Sequence, residues 1–228
     1  MVRVSVDHRP TPLASALALL LCALSTAILA PTLDQRVVIV TALLGVGLVV
    51  AGGRESEAPI PQGRLWTVLG AVLVLGAVLR GETMADPRHS IELVPGLVGM
   101  ALLGLGVRPL RQRFARRFVS AGLAAMVVGV ALVGIFEAAG PLRLLGATAA
   151  AIAAWDVAEH GISLGEQLRT DAETRSVELL HTGTTSAYGA ATVAVALVVY
   201  ENGATGLSLS ALVLLLAAAI TLLALLYR

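Results

Sequence analysis

Lysine is missing from this 228-residue chain; all 16 basic residues are arginine. Cysteine occurs once, at Cys22 inside an apolar run, so one chain can build neither a disulfide framework nor a cysteine-based metal site. Four histidines and one cysteine leave little material for redox cofactors, and no cofactor or metal is expected. Charge is scarce: Asp, Glu and Arg make up 14% of the residues, against about 25% in an ordinary soluble domain. The net charge of +1 supplies no basic field for a nucleic-acid partner. No Walker loop, dinucleotide fingerprint, HExxH or CxxC occurs.

What the chain has is apolar sequence, 57% of residues, with a mean hydropathy of +0.87. Such a chain must share its core with lipid. A helix needs about 20 mostly apolar residues to cross the hydrocarbon layer. Eight segments approach that length: 12–30, 37–52, 65–80, 91–107, 118–136, 142–157, 185–200 and 207–227. The expected fold class is therefore all-α, a polytopic transmembrane helical bundle forming one membrane domain over 1–228. Spans one to four lie within 1–107 and spans five to eight within 118–228. The first run follows Arg3 and Arg9 and is expected as an uncleaved span rather than a signal peptide. Spans 142–157 and 185–200 are rich in Ala, Gly and Thr, as suits helices packed closely on other helices.

The connections are punctuated accordingly. Pro31, Gly52-Gly53, Pro59, Pro61, Gly140-Pro141 and Asn202-Gly203 separate the runs. Asp86-Pro87 reads as an N-cap followed by proline at the first helical position. Pro95 falls inside the fourth run, where a kink is expected. With eight spans and both termini on one side, 12 arginines fall on that side and 4 on the other. Arginine excess marks the cytoplasmic face, so both termini are expected there, in a multi-pass protein of the cell membrane.

The longest polar stretch between apolar runs is 155–184, which carries 8 formal charges and two of the four histidines. Thr170 and Glu173 have capping-box spacing, and Asp171 adds negative charge to the first turn of a new helix. The stretch is expected to be a helical hairpin extending spans six and seven into the cytoplasm over 157–182. Ala158, Gly161, Ile162, Gly165 and Leu168 share one face of the first arm. Val177, Leu180, Thr184 and Ala187 share one face of the second, and the two stripes are expected to meet.

The hairpin also gathers residues with chemistry. Asp156, Glu159, His160, Glu178 and His181 are of metal-ligand or proton-relay type. His160 and His181 lie equally far from the turn, but the face geometry turns them apart, which counts against a shared metal. Gly161 to Gly165 spells GxSxG around Ser163, yet a nucleophile elbow needs a strand-to-helix turn, and this context is helical. Glu92, Glu137, Asp156 and Glu201 all fall near span ends, within reach of water, which argues against a dedicated proton path. The five-arginine loop, Arg108, Arg111, Arg113, Arg116 and Arg117, suits anionic lipid headgroups or the setting of orientation. It could also receive the six acids of 155–184.

The segment AWDVAEHGISLGEQLRTDAETRSVELLHTG, with arginine-only basic usage and Ala/Val/Leu/Gly-rich spans, resembles an uncharacterised family of haloarchaeal integral membrane proteins. Those proteins tend to be encoded beside MoxR-type AAA ATPases and von Willebrand-like domain proteins. The resemblance implies no catalytic residues. It implies a membrane component working with soluble cytoplasmic partners.

The functional expectation is a non-enzymatic membrane scaffold or accessory subunit. Its partners are the lipid bilayer and a soluble cytoplasmic protein or a second copy of the chain. The docking surface is expected on the hairpin at Glu159, His160, Glu166, Arg169, Asp171, Glu173, Arg175 and Glu178. The rival is a small transporter or channel whose path is lined by Glu92, Glu137 or Asp156.

Overall fold

In a computed structural model of the chain, residues 10–54, 62–83, 87–108, 112–137, 139–167 and 174–202 are described. Those residues form seven α-helices: α1 (Pro12–Leu29), α2 (Leu33–Arg54), α3 (Gln62–Glu82), α4 (Pro87–Val107), α5 (Gln112–Phe136), α6 (Pro141–Gln167) and α7 (Arg175–Asn202). The class is all-α. Five helices are long and apolar enough to cross a membrane: α1, α2, α3, α5 and α7. In α4 the apolar portion is shorter, Leu93–Val107. The eighth expected run, 207–227, lies outside the described residues, as does the Thr170–Glu173 capping box. The chain divides into two compact units, Met1–Val193 and Ala194–Arg228; of the second, the described part is the end of α7.

Helix starts follow the sequence punctuation. Proline opens α1, α4 and α6, where its missing N–H is no loss. Pro95 sits inside α4, and the helix runs on through it. Its ring faces Gly129 of α5, where an added Cβ would stand 3.2 Å from the proline Cβ.

Glycine sets how near the helices come. A Cβ on Gly70 of α3 would stand 2.4 Å from the carbonyl oxygen of Gly45 on α2. One on Gly99 of α4 would stand 2.9 Å from the carbonyl of Gly122 on α5. One on Gly161 of α6 would stand 2.7 Å from the Ala14 Cβ of α1. Real Cβ atoms do not approach so closely, so these pairs are in near-backbone contact. That is the usual way apolar helices associate in lipid, where no hydrophobic drive separates one apolar surface from another.

The inner core runs through α1, α2, α4, α5 and α6, with Cys22, Leu93, Leu97, Met100, Leu103, Val119 and Val157 buried. Polar side chains turn inward and satisfy the backbone. Ser25 donates to the Ala147 carbonyl at 2.7 Å, tying α1 to α6. Arg143 donates to the Leu29 carbonyl at 2.6 Å and the Ile28 carbonyl at 3.3 Å, closing the C-terminal end of α1. The outward faces are apolar: Leu65, Val68, Val72, Leu75 and Leu79 of α3 are exposed. A bundle that is apolar on its outer faces as well as in its core suits a lipid surround.

Candidate functional site

At the α1 start, α6 and α7 meet along a polar seam. Glu178, His181 and Thr185 are spaced three and four residues apart, so they stand on one face of α7. Glu178 is 2% exposed. Its carboxylate accepts from the Ala14 N–H at 2.7 Å, from the Thr11 hydroxyl at 2.9 Å and from the Thr174 hydroxyl. Ala14 lies in the first turn of α1, where backbone N–H groups have no partner within the helix. Thr11, at the N-cap position, makes no side-chain cap of its own. A carboxylate from α7 does that work instead, with its charge against the positive end of the helix dipole.

Next along the seam, Asp156 of α6 accepts from the Thr185 hydroxyl at 2.7 Å. Its Oδ2 also stands 2.8 Å from His181 Nε2, although that nitrogen makes no aligned hydrogen bond. The contact is therefore a close electrostatic one. The imidazoles of His160 and His181 stack, with centroids 3.8 Å apart and planes 13° from parallel. The buried Nε2 of His160 and Nε1 of Trp155 have no hydrogen-bond partner among the described residues. Burial pushes the His160 pKa below its ordinary value, the neighbouring His181 adds to this, and Asp156 and Glu178 oppose it. Near neutral pH the stack is thus favoured in its uncharged form on the His160 side.

The other flank of α6 faces α5. Glu159, Ser163 and Glu166 form a stripe there, and Arg116 bonds all three: Glu159, Ser163 at 3.2 Å and Glu166 at 2.9 Å. Of the acids expected against the arginine-rich segment, Glu159 and Glu166 rest on Arg116, while Asp156 turns to α7. Ser163 sits within a continuous helix with its oxygen on Arg116, so the GxSxG pattern forms no nucleophile elbow.

Residues 64–223 match a family of unknown function (DUF7519). The chain belongs to that family. The match takes in α6 and α7 and begins after α1 and α2. No curated protein and no solved structure matches the chain.

Three expectations about the hairpin are corrected. The stripe Ala158, Gly161, Ile162 and Gly165 is buried, with Gly161 against α1 and not α7, and Leu168 lies outside the described residues. The Thr11 N–H donates to the Gly161 carbonyl at 3.3 Å across this contact. With that face taken, α7 meets the polar face of α6, which is why His160 and His181 come together instead of turning apart. The second stripe, Val177, Leu180, Thr184 and Ala187, is exposed. Glu178, expected on the outward docking surface, is buried by its bonds to α1.

Among the other named residues, Glu166 and Arg175 are exposed, while Glu159 and His160 are partly buried. Arg169, Asp171 and Glu173 lie outside the described residues, as do Arg111 and the side chains of Arg113 and Glu92. Arg108 donates to the Thr67 hydroxyl at 3.2 Å, and Arg117 stands 5.9 Å from the Phe114 ring centroid. Among the described residues no group of three or more His, Cys, Asp or Glu is arranged to hold a metal ion. Stacked imidazoles present their nitrogens at the ring edges, not toward a common point. Thr11, Thr174 and Thr185 were not anticipated in the seam. The available signal was Thr11-Pro12, a helix start whose N–H groups needed an acceptor.

Proposed function

We propose that the chain is an eight-span membrane scaffold or accessory subunit with both termini cytoplasmic. It docks a soluble partner on the ends of α6 and α7 that overrun the bilayer. One observation carries this: the outward face of α7 near its start is both charged and apolar. The apolar helix Arg175–Glu201 has 27 residues, about 41 Å at 1.5 Å per residue, against a hydrocarbon core of about 30 Å. Standing along the bilayer normal, the helix has roughly two turns more than the core needs. Arg175, Glu178 and His181 mark the end that leaves. There Val177 is 50% exposed and Leu180 70%, next to exposed Arg175 and Ser176. Apolar side chains in water beside charge are the signature of a protein contact. The seam beneath them, Glu178 to α1 and His181 to α6, holds that face in place.

The resemblance to membrane proteins encoded beside MoxR-type ATPases points the same way, toward a soluble cytoplasmic partner. A photo-crosslinking residue at Leu180 tests the idea against one at Leu75 on the lipid face of α3. Adducts with a soluble protein at 180 but not at 75 support it. Lipid adducts alone at both positions would sink it. For the transporter alternative, the described acids stay apart. Glu137 follows α5 and Asp156 lies 15 residues after Pro141, about 22 Å further along α6. Asp156 is already engaged by Thr185 and His181.

A further inference from the structure

A second feature lies away from the seam, between α2, α3 and α4. There a cleft of about 330 Å³ opens on the outer face. Its walls are apolar: Val46 and Val49 of α2, Ala71, Val74, Leu75 and Val78 of α3, and Ala101 and Leu105 of α4. Among the described residues its one charged lining group is Arg108, and Thr67 stands beside it. The guanidinium reaches Thr67 at 3.2 Å and lies over Gly53, where a Cβ would come within 2.6 Å of its Nε. Arg108 is therefore held at the level where α2 ends, α3 begins and α4 ends. That is the end to which the arginine distribution assigns the cytoplasmic face.

We infer that this cleft binds one anionic phospholipid of the cytoplasmic leaflet, an acyl chain between α2, α3 and α4 and the phosphate on Arg108. Three features select this occupant. The lining on α3 runs from Thr67 to Val78, about 16 Å along the helix, close to half the thickness of the hydrocarbon core. The volume is at the small end for ligand sites, on the scale of a single slender apolar chain. The single cation stands at the polar end of an apolar slot, which complements an amphiphile with a negative head. Gly104 of α4, where a Cβ would stand 2.2 Å from Val46 Cγ1, brings α4 near enough to α2 to form the floor.

The test uses the full chain in detergent and native mass spectrometry, with palmitoyl-oleoyl phosphatidylglycerol, the phosphatidylcholine of the same chains, and inorganic phosphate. One phosphatidylglycerol should be retained per chain, and phosphatidylcholine about fivefold less, the factor expected for one arginine at a membrane surface. Arg108→Gln should reduce retention of phosphatidylglycerol to the phosphatidylcholine level, while Arg108→Lys should keep most of it. Ala71→Leu, a change at an exposed position that narrows the slot, should lower retention of both lipids. Arg80→Gln, at the opposite end of α3, should change nothing. Equal retention of the two lipids by the native chain, or no effect of Arg108→Gln, would overturn the inference. So would competition by inorganic phosphate at the same concentration as the lipid, because the chain would then contribute nothing.

Discussion

Glu178 closes a helix end that α1 cannot close for itself. A carboxylate accepting one backbone N–H and two hydroxyls, at 2% exposure, is held from all sides. Glu178→Ala leaves those donors unpaired, and a loss of about 1–3 kcal/mol is expected. Glu178→Gln keeps an acceptor oxygen and should lose less; thermal unfolding of the detergent-solubilised chain separates the two. A second expectation concerns His160, which lies beyond the 142–157 run. Its folded pKa is below the ordinary 6.5, so on acidification the unfolded chain takes up the proton first. Stability from this group is complete above about pH 6.5 and falls as pH drops toward the folded value. His160→Phe keeps a stacking ring without the titration and should flatten the fall in unfolding midpoint between about pH 7 and pH 5. His181, Asp156 and Glu178 stand around it, so the flattening is partial. The residue types of this seam were plain in the sequence, since Asp156, Glu159, His160, Glu178 and His181 stand out in an apolar chain. Their pairing was not, because it depends on which face of α6 a third helix occupies.

At the level of elements, the glycines divide into two kinds with opposite expected behaviour. Gly161 lies against Ala14, and Gly161→Leu should pry α1 from α6 and cost several kcal/mol, as overpacking in a tight contact does. Gly47 and Gly76 have nothing within 4 Å of an added Cβ. Gly47→Ala and Gly76→Ala should be neutral or stabilising by up to about 1 kcal/mol, since alanine is the better helix former. Chemical denaturation in mild detergent reads all three. Helix positions were legible because apolar length and Gly/Pro breaks set them: expected runs 12–30 and 118–136 fall on α1 and α5 within a few residues. The stripe on α6 was also legible as a packing face. Its partner was not, because Ala158, Gly161 and Gly165 fit any small-residue helix equally well, and α1 supplies Thr11 and Ala14 there. On α7, a face of Val177, Leu180 and Ala187 looks like a seam only if water is the solvent. In lipid or against a partner the same stripe points outward, and the polar face of Glu178, His181 and Thr185 points in.

Among the described residues, charge is confined to helix ends and to the two faces of α6 turned toward α5 and α7. The topology has a direct check. In a Cys22→Ala background, a cysteine at Ser176 should react with an impermeant maleimide only when the cytoplasmic face is open, and one at Gly140 only from outside. Reaction of both from the same side would break the assignment of α6 as a crossing helix. The transmembrane class was legible from composition alone. The eight-span count rests on arginine placement, with 207–227 outside the described helices.

Ala14 and Glu178 are 164 residues apart in sequence. A growing chain delivers α1 to the membrane long before the carboxylate that completes it exists. Until α7 arrives, the first turn of α1 must be served by water, lipid headgroups or an insertion factor. Synthesis that stops after α6 would leave that end open. One glutamate thus makes the first turn of α1 depend on a segment synthesised 164 residues later.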